Sequence, residues 1–170
     1  MGGKPSQSSD KIMGLPQVLA AVRRLRSEGK RIVFTNGCFD VLHRGHVQTL
    51  EEAAAHGDFL IVAINSGESI RSVKGPGRPL QPEADRAAVL AAIGCVGAVI
   101  VFSEPNVLGL LEAIKPECYV KGGDYTIDTI NQEERRLAER LGSKIVLVPP
   151  VPGCSTTSFL ERLAKTLPRP

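Results

Sequence analysis

The sequence predicts an α/β fold, a Rossmann-like five-stranded parallel sheet with helices on both faces. Short apolar runs alternate along the chain with longer segments whose apolar residues recur at helical spacing. The clearest run, 59–64, is apolar at every position, which is typical of a parallel strand covered on both faces. Because a helix separates each pair of successive strands, the connections are crossovers and the strands run parallel.

The elements of the first half follow from spacing and from breaker residues. Pro16 near the start and Gly29 after the end delimit the first helix, and Gly57 ends the second. The Gly and Pro residues between 75 and 79 predict that no regular element forms around them. In order, we expect a helix over 15–25, a strand over 31–35, a helix over 45–56, a strand over 59–64 and a loop over 69–82.

The second half repeats the alternation. Pro116 ends one helix, and Gly142 closes a strongly charged one. In order, we expect a helix over 83–93, a strand over 98–102, a helix over 106–114, a strand over 117–120, a loop over 121–128, a helix over 131–141, a strand over 144–148 and a helix over 157–167.

The composition fits one domain that folds without disulfides: 170 residues, of which 42% are hydrophobic and 23% charged. The formal net charge is +3 and the basic residues are spread among acidic ones, which disfavours a nucleic-acid partner. No apolar stretch approaches the roughly 20 residues of a membrane helix. We expect a flexible N-terminal tail over 1–14 and a single domain over 15–170.

The cysteines, at positions 38, 95, 118 and 154, form no C-x-x-C pair and are expected to be reduced thiols. Residues 1–10 have no apolar core and do not resemble a secretory signal. Both observations predict a cytoplasmic protein.

Ligands of parallel sheets bind at the carboxyl ends of the strands. That rule selects the loops 36–46, 121–125 and 149–157, with 69–82 able to fold over them. The first of these loops enters a helix N-terminus, which suits phosphate, and Gly45 lets the backbone approach a ligand.

His43 and His46 lie three residues apart in that helix start and could both donate to phosphate oxygens. Two other interpretations stay open. Asp40 and the two histidines could bind a transition metal, or the histidines could be structural. His56, near a helix end, is expected to have no role in the site.

Neither a P-loop nor a dinucleotide fingerprint is present, so any nucleotide must be held by the histidine loop and its neighbours. Lys74 and Arg78 are candidate phosphate ligands, or else part of a solvated basic loop. The segment 153–157 either caps the last helix or forms a second phosphate cradle. The glycines of 121–124 permit close approach to a flat base.

Four motifs, G-x-F-D-x-x-H-x-G-H, K-G-x-x-R-P, K-G-G-D-Y and G-C-S-T-T, occur in this order between residues 31 and 163. Together they resemble the cytidylyltransferase-like nucleotidyltransferases of the HxGH type. More narrowly, they are similar to the D-glycero-β-D-manno-heptose 1-phosphate adenylyltransferases, which can be fused behind a sugar kinase. The resemblance implies a stand-alone adenylyltransferase domain that works with a separate kinase and phosphatase.

The resemblance also implies roles for individual residues. The histidines contact ATP phosphates, and Asp40 faces the sugar or Mg²⁺. Arg86 matches a family arginine, with a surface salt bridge as the alternative. The implied site is catalytic His43, His46 and Lys74; nucleotide-binding Asn36, Gly37, Phe39, Gly45, Lys121, Gly122, Asp124, Ser155, Thr156 and Thr157; and substrate-binding Asp40, Arg78 and Arg86.

Departures from related groups favour the heptose enzymes. Leu160 stands where the nicotinate and pantetheine adenylyltransferases have an arginine, and 151–154 differs from the glycerol-3-phosphate cytidylyltransferases. The implied reaction is transfer of AMP from ATP, with Mg²⁺, to the heptose 1-phosphate, which gives pyrophosphate and ADP-heptose. The ADP-heptose is expected to serve lipopolysaccharide synthesis. A homodimer is also implied. The alternatives are a cytidylyltransferase acting on a sugar or polyol phosphate, and a non-catalytic nucleotide-binding module.

Overall fold

A computed structural model describes residues 7–166; residues 1–6 and 167–170, which belong to the predicted tail and the end of the predicted domain, lie outside it. The predicted sheet is confirmed, with five parallel strands in the order β3-β2-β1-β4-β5. The strands are β1 (Ile32–Gly37), β2 (Phe59–Asn65), β3 (Val96–Phe102), β4 (Cys118–Gly122) and β5 (Lys144–Val148).

Helices connect the strands, and most fall where the sequence predicts them. The helices are α1 (Leu15–Ser27), α2 (Arg44–Ala54), α3 (Gly67–Lys74), α4 (Glu83–Ala92), α5 (Leu108–Ile114), α6 (Gln132–Arg140) and α7 (Thr156–Thr166). Among residues 7–166, no helix is long and apolar enough to cross a membrane.

The helix α3 corrects the prediction of a loop over 69–82. The Ser66 hydroxyl caps it by accepting a hydrogen bond from the Ser69 backbone N–H, and Ile70 is fully buried. The helix ends at Gly75, whose φ of 85° is a conformation that favours glycine. The Gly and Pro cluster therefore stops a helix that the sequence before it forms.

Residues 8–14 differ from the predicted flexible tail. Ser8–Lys11 forms a 3₁₀ turn, and Ile12 bridges to Val99 of β3. The Met13 N–H donates to the Val99 carbonyl at 2.9 Å. These backbone contacts tie the segment to the sheet because β3 is an edge strand whose outer side can pair.

Two apolar layers hold the helices to the sheet. One face packs against α1, α5 and α6, and its buried side chains include Val22, Leu111 and Leu137. The other face packs against α2 and α4, and its buried side chains include Leu50 and Leu90. Burial on both faces explains the continuously apolar strands.

The strand order creates a switch point between β1 and β4. From β1 the chain moves to β2 on one side and later returns to β4 on the other. Connections leaving the carboxyl ends of these two strands diverge, and a crevice opens between them.

Candidate active site

A cavity of about 550 Å³ lies at this crevice. It collects residues from all four loops that the sequence selects, which lie far apart along the chain. The lining residues are Thr35, Asn36, Gly37, Cys38, Phe39, Asp40, His46, Thr49, Asn65, Val73, Lys74, Arg78, Lys121, Gly122, Tyr125, Thr156 and Thr157.

Five of the predicted site residues do not line this cavity. His43 and Gly45 lie directly beside His46, in the first turn of α2 or at its cap. Of the remaining three, Asp124 is exposed to solvent, Ser155 caps α7, and Arg86 is fully buried.

The loop between β1 and α2 has a strained backbone. Phe39 and Val41 have φ values of 47° and 59°, in the left-handed region that a β-branched residue such as valine rarely adopts. Conformations of this kind persist where the surrounding structure holds them, and they concentrate at functional sites. Here they carry the chain from β1 into the N-terminus of α2.

His43 is the N-cap of α2. Its Nδ1 accepts a hydrogen bond from the Gly45 backbone N–H at 3.1 Å. Because an accepting nitrogen carries no proton, the neutral ring holds its proton on Nε2. Burial lowers the pKa of His43, which favours this neutral form.

The His46 ring stacks on His43, with 3.9 Å between ring centroids. Burial, together with the positive charges of His43 and Lys74, lowers the pKa of His46 to about 4. Its Nδ1 is buried and has no hydrogen-bond partner among residues 7–166. His46 is therefore neutral at pH 7, and Nε2 is the ring nitrogen available to a ligand.

Gly45 allows the start of α2 to lie close to its surroundings. A Cβ at this position would lie 3.1 Å from the His43 ring and 3.2 Å from the Cys154 carbonyl oxygen. Gly122 is packed more tightly, since a Cβ there would lie 2.3 Å from Thr49 Cγ2. Because both residues lack a Cβ, the backbone at Gly45 can lie against Cys154 and the backbone at Gly122 can lie against Thr49.

Asp40 fastens the 75–82 loop to the site. Its carboxylate accepts from the Arg78 guanidinium at 2.9 Å and from the Leu80 and Gln81 backbone N–H groups. Burial alone would raise the pKa of Asp40, but these hydrogen bonds outweigh it and hold the pKa below its usual value. Both carboxylate oxygens of Asp40 are thus occupied, and Arg78 is held at the cavity through one of its guanidinium nitrogens.

The metal interpretation of Asp40, His43 and His46 is not supported. No cluster of three or more His, Cys, Asp or Glu side chains that could hold a metal occurs in the described part of the chain. Instead, Asp40 is hydrogen-bonded to the loop and His43 Nδ1 to the backbone.

Arg86 corrects a further prediction. Its side chain is fully buried, and it donates to the carbonyl oxygens of Gln81, Cys38 and Asn65. It is neither a ligand contact nor a surface salt bridge. Arg86 joins the loop after β1, the last residue of β2 and the segment before α4, and two of its acceptors, Cys38 and Asn65, belong to the cavity wall.

Two lysines supply positive charge at the cavity. Lys74, at the end of α3, is exposed and forms no ion pair within residues 7–166. Lys121, at the end of β4, donates to Asn36 Oδ1 at 3.0 Å and lies 3.5 Å from the Glu134 carboxylate.

The start of α7 confirms the capping interpretation of the 153–157 segment and places two of its threonines at the cavity. Ser155 caps the helix, because Ser155 and Ser158 each accept from the other's backbone N–H. The Thr156 hydroxyl donates to the Asp40 carbonyl and fixes the helix against the histidine loop. Thr156 and Thr157 line the cavity.

Sequence reasoning missed Tyr125, which lines the cavity although Asp124 does not. A Cβ at Gly123, whose φ is 135°, would lie 3.0 Å from the Tyr125 ring. The absence of a side chain at Gly123 therefore allows the ring to pack against the backbone of the loop. The residue stands in the K-G-G-D-Y motif, which was the available signal. Asn65 and Thr49 were also missed, because each sits in an ordinary strand or helix.

The pattern of the cytidylyltransferase-like family matches residues 34–162. The bifunctional protein HldE of Geotalea uraniireducens is 44% identical over 163 residues, covering 96% of this chain and 33% of that protein. HldE of Geobacter sulfurreducens is 41% identical over 165 residues, covering 97% and 33%. The chain spans about a third of the length of these curated relatives.

Solved structures share the fold. The lipopolysaccharide core biosynthesis protein from Thermoplasma volcanium has a TM-score of 0.60 at 25% identity, covering 72% of this chain and 98% of that one. Pantoate-β-alanine ligase from Francisella tularensis has a TM-score of 0.62 at 18% identity, covering 91% and 76%, a likeness of fold alone. The family pattern covers most of the sequence and includes the strands and loops that build the cavity, and the chain therefore belongs to the cytidylyltransferase-like family.

Proposed function

We propose that this chain transfers AMP from ATP to D-glycero-β-D-manno-heptose 1-phosphate, giving ADP-heptose and pyrophosphate. The observation that carries the proposal is the cavity at the β1/β4 switch point. There the histidine loop, the Lys74 segment, the 121–125 loop and the start of α7 converge. Membership of the cytidylyltransferase-like family supports nucleotidyl transfer as the reaction.

The choice of substrate draws on the relatives. The motifs resemble heptose 1-phosphate adenylyltransferases, which can be fused behind a kinase, and this chain matches a third of the bifunctional HldE proteins. A lipopolysaccharide core biosynthesis protein shares the fold at 25% identity. These likenesses support ADP-heptose supply for lipopolysaccharide as the role of the product.

A second candidate is transfer of CMP from CTP to a sugar or polyol phosphate. The description of the family as cytidylyltransferase-like favours it. The two candidates share the reaction and the cavity and differ in the base, so a comparison of nucleotides separates them.

The reaction needs no general base. The nucleophile is an oxygen of the sugar 1-phosphate, which is largely ionised at pH 7. A bond forms between that oxygen and the α-phosphorus of ATP, and the bond to the β-phosphate oxygen breaks to release pyrophosphate. Catalysis then consists of holding two polyanions in line and stabilising the charge that builds on the transferring and leaving groups.

The site divides this task between neutral donors and cations. His46 and His43 are neutral, so they act as N–H donors rather than as charges or acids. Lys74 and Lys121 supply positive charge, and Thr156 and Thr157 stand at the N-terminus of α7, where phosphate is favoured. Preorganised donors of this kind stabilise charge that develops in the transition state.

Mg²⁺ fits this site as part of the MgATP substrate. The carboxylate that lines the cavity, Asp40, is already bound to Arg78 and two backbone N–H groups. Mg²⁺ at nucleotide sites commonly takes phosphate oxygens and water for most of its ligands. The ion would neutralise phosphate charge, while the chain's own residues hold the nucleotide.

The proposal includes the compartment and the oligomeric state of the enzyme. The four cysteines are free thiols, which supports a reducing compartment such as the cytoplasm. A homodimer, as the family resemblance implies, is our working assembly, and sedimentation of the purified chain tests it.

The test is pyrophosphate release with Mg²⁺, heptose 1β-phosphate and ATP, CTP, GTP or UTP in parallel. We expect release with ATP alone. Release with CTP instead would replace our proposal with the second candidate. Nucleotide binding without release from any of the four would favour a non-catalytic binding module.

A further inference from the structure

Two buried polar side chains behind the cavity have no part in the mechanism above. Tyr119 of β4 is fully buried and Glu134 of α6 is 4% exposed. A buried carboxylate is costly unless it is paired and hydrogen-bonded. Glu134 accepts from the Tyr119 hydroxyl at 2.7 Å and from the Val107 N–H at 3.3 Å.

The Glu134 carboxylate is linked to the cavity by Lys121, which lines the cavity and forms an ion pair with the carboxylate. The Lys121 ammonium lies 3.5 Å from Glu134 Oε2, and its side chain is only 13% exposed. The ammonium also lies over the rings of Tyr119 and Tyr125, at 5.7 and 5.8 Å from their centroids. A long, flexible side chain is thereby confined to one position at the cavity wall.

Asn36 is held by the same cluster. Lys121 Nζ donates to Asn36 Oδ1 at 3.0 Å, and the Tyr119 hydroxyl lies 3.0 Å from the same oxygen. Because an ammonium only donates, the amide atom facing it must be the oxygen. The amide NH₂ of Asn36 has no hydrogen-bond partner in the part of the chain that the structure describes, and Asn36 lines the cavity.

We propose that Glu134 and Tyr119 are positioning residues for the nucleotide. Tyr119 donates its one hydroxyl proton to Glu134, and the Glu134 carboxylate in turn fixes the Lys121 ammonium. Lys121 then turns the Asn36 amide so that its NH₂ group donates to an acceptor atom of the bound nucleoside triphosphate. Neither Glu134 nor Tyr119 touches the ligand. The inference rests on the proposed function, because it takes a nucleotide as the ligand of this cavity.

The test is ATP binding to the full chain by calorimetry with Mg²⁺ and without the sugar, alongside steady-state kinetics with it. Glu134→Gln keeps the shape of the side chain and removes its charge, and Tyr119→Phe removes the hydroxyl. Glu133→Gln, an exposed neighbour in α6, is the matched control. We expect Glu134→Gln and Tyr119→Phe to raise the Kd and KM for ATP about tenfold, the loss typical of one mispositioned polar contact. The KM for the sugar phosphate should change less than twofold, and the control should match the wild type.

A pair of Asn36 variants gives a readout that a merely structural role would not move. Asn36→Ala removes the donor, whereas Asn36→Asp replaces it with a carboxylate that faces a polyanion. We expect Asn36→Asp to weaken ATP binding more than Asn36→Ala does. If both variants bind ATP equally well, the donor assignment is wrong.

The outcomes separate this inference from the proposed function. If the wild type binds ATP, and Glu134→Gln and Tyr119→Phe bind it equally well, the positioning role is refuted while the function stands. A uniform loss of active protein, with an unchanged Kd in the folded fraction, refutes it as well. If the wild type fails to bind any nucleoside triphosphate, the proposed function and this inference fall together.

Discussion

Replacing His46 with alanine is the substitution that bears most directly on the proposed mechanism. The side chain lines the cavity, stacks on His43 and has a pKa of about 4. At pH 7 the variant therefore loses a neutral N–H donor and no charge. Removing one preorganised donor to a developing oxyanion costs about 10²–10³-fold in kcat, or roughly 2.7–4 kcal/mol.

Because no charge is lost, ground-state binding of ATP should change little. We expect His46→Ala to lower kcat by about 10²-fold and to change the Kd for ATP by less than about threefold, a difference of under 1 kcal/mol. His46→Gln, which keeps an N–H donor, should recover part of the loss. His56→Ala, in the third histidine of the chain, is the control, since His56 lies outside the cavity.

The assay is pyrophosphate release at saturating substrates, with ATP binding measured separately. Turnover of His46→Ala equal to that of His56→Ala would refute the role of His46. A loss confined to ATP affinity, with kcat unchanged, would mean that the residue binds the ground state and transition state equally, which also contradicts the mechanism.

Three further predictions concern the walls of the cavity. Arg86→Met should destabilise the fold by more than about 2 kcal/mol in chemical denaturation, because three partly buried carbonyls lose the donor that the fully buried guanidinium supplies; an unchanged midpoint would contradict the assigned role. Tyr125→Ala should raise the KM for ATP and leave the midpoint of unfolding unchanged, since the ring lines the cavity and is 46% exposed; an unchanged KM would remove the ring from the site. The lowered pKa of Asp40 adds stability that is present above the unfolded pKa and is lost as pH falls below about 4. Asp40→Asn should therefore flatten the acid side of the stability curve, and an equally steep decline in the variant would contradict the prediction.

Much of the fold could be predicted because its signals are local. The continuous apolar runs and the breakers between them mark all five strands to within two residues at each end. The helix α3 was missed because the Gly and Pro residues after Lys74 dominate the local pattern. The burial of Ile70 and the Ser66 cap, which stabilise the helix, appear only in the packed structure.

The candidate site could likewise be predicted only in part. The histidine loop and the start of α7 could be found because their motifs are contiguous. Arg86 could not be assigned, since its three acceptor carbonyls lie 5, 21 and 48 residues away along the chain. The neutral state of His46 depends on burial and on nearby positive charge, and neither can be read from spacing.

The most direct test of adenylyl transfer follows the oxygens of the sugar phosphate. Heptose 1β-phosphate carrying ¹⁸O in its phosphate is incubated with MgATP and the enzyme, and the masses of the products are measured by mass spectrometry. Attack of the sugar phosphate on the α-phosphorus predicts that all of the label is retained in ADP-heptose and that pyrophosphate is unlabelled. Label in pyrophosphate or in free phosphate, or the absence of any nucleotide sugar, would contradict the proposed function.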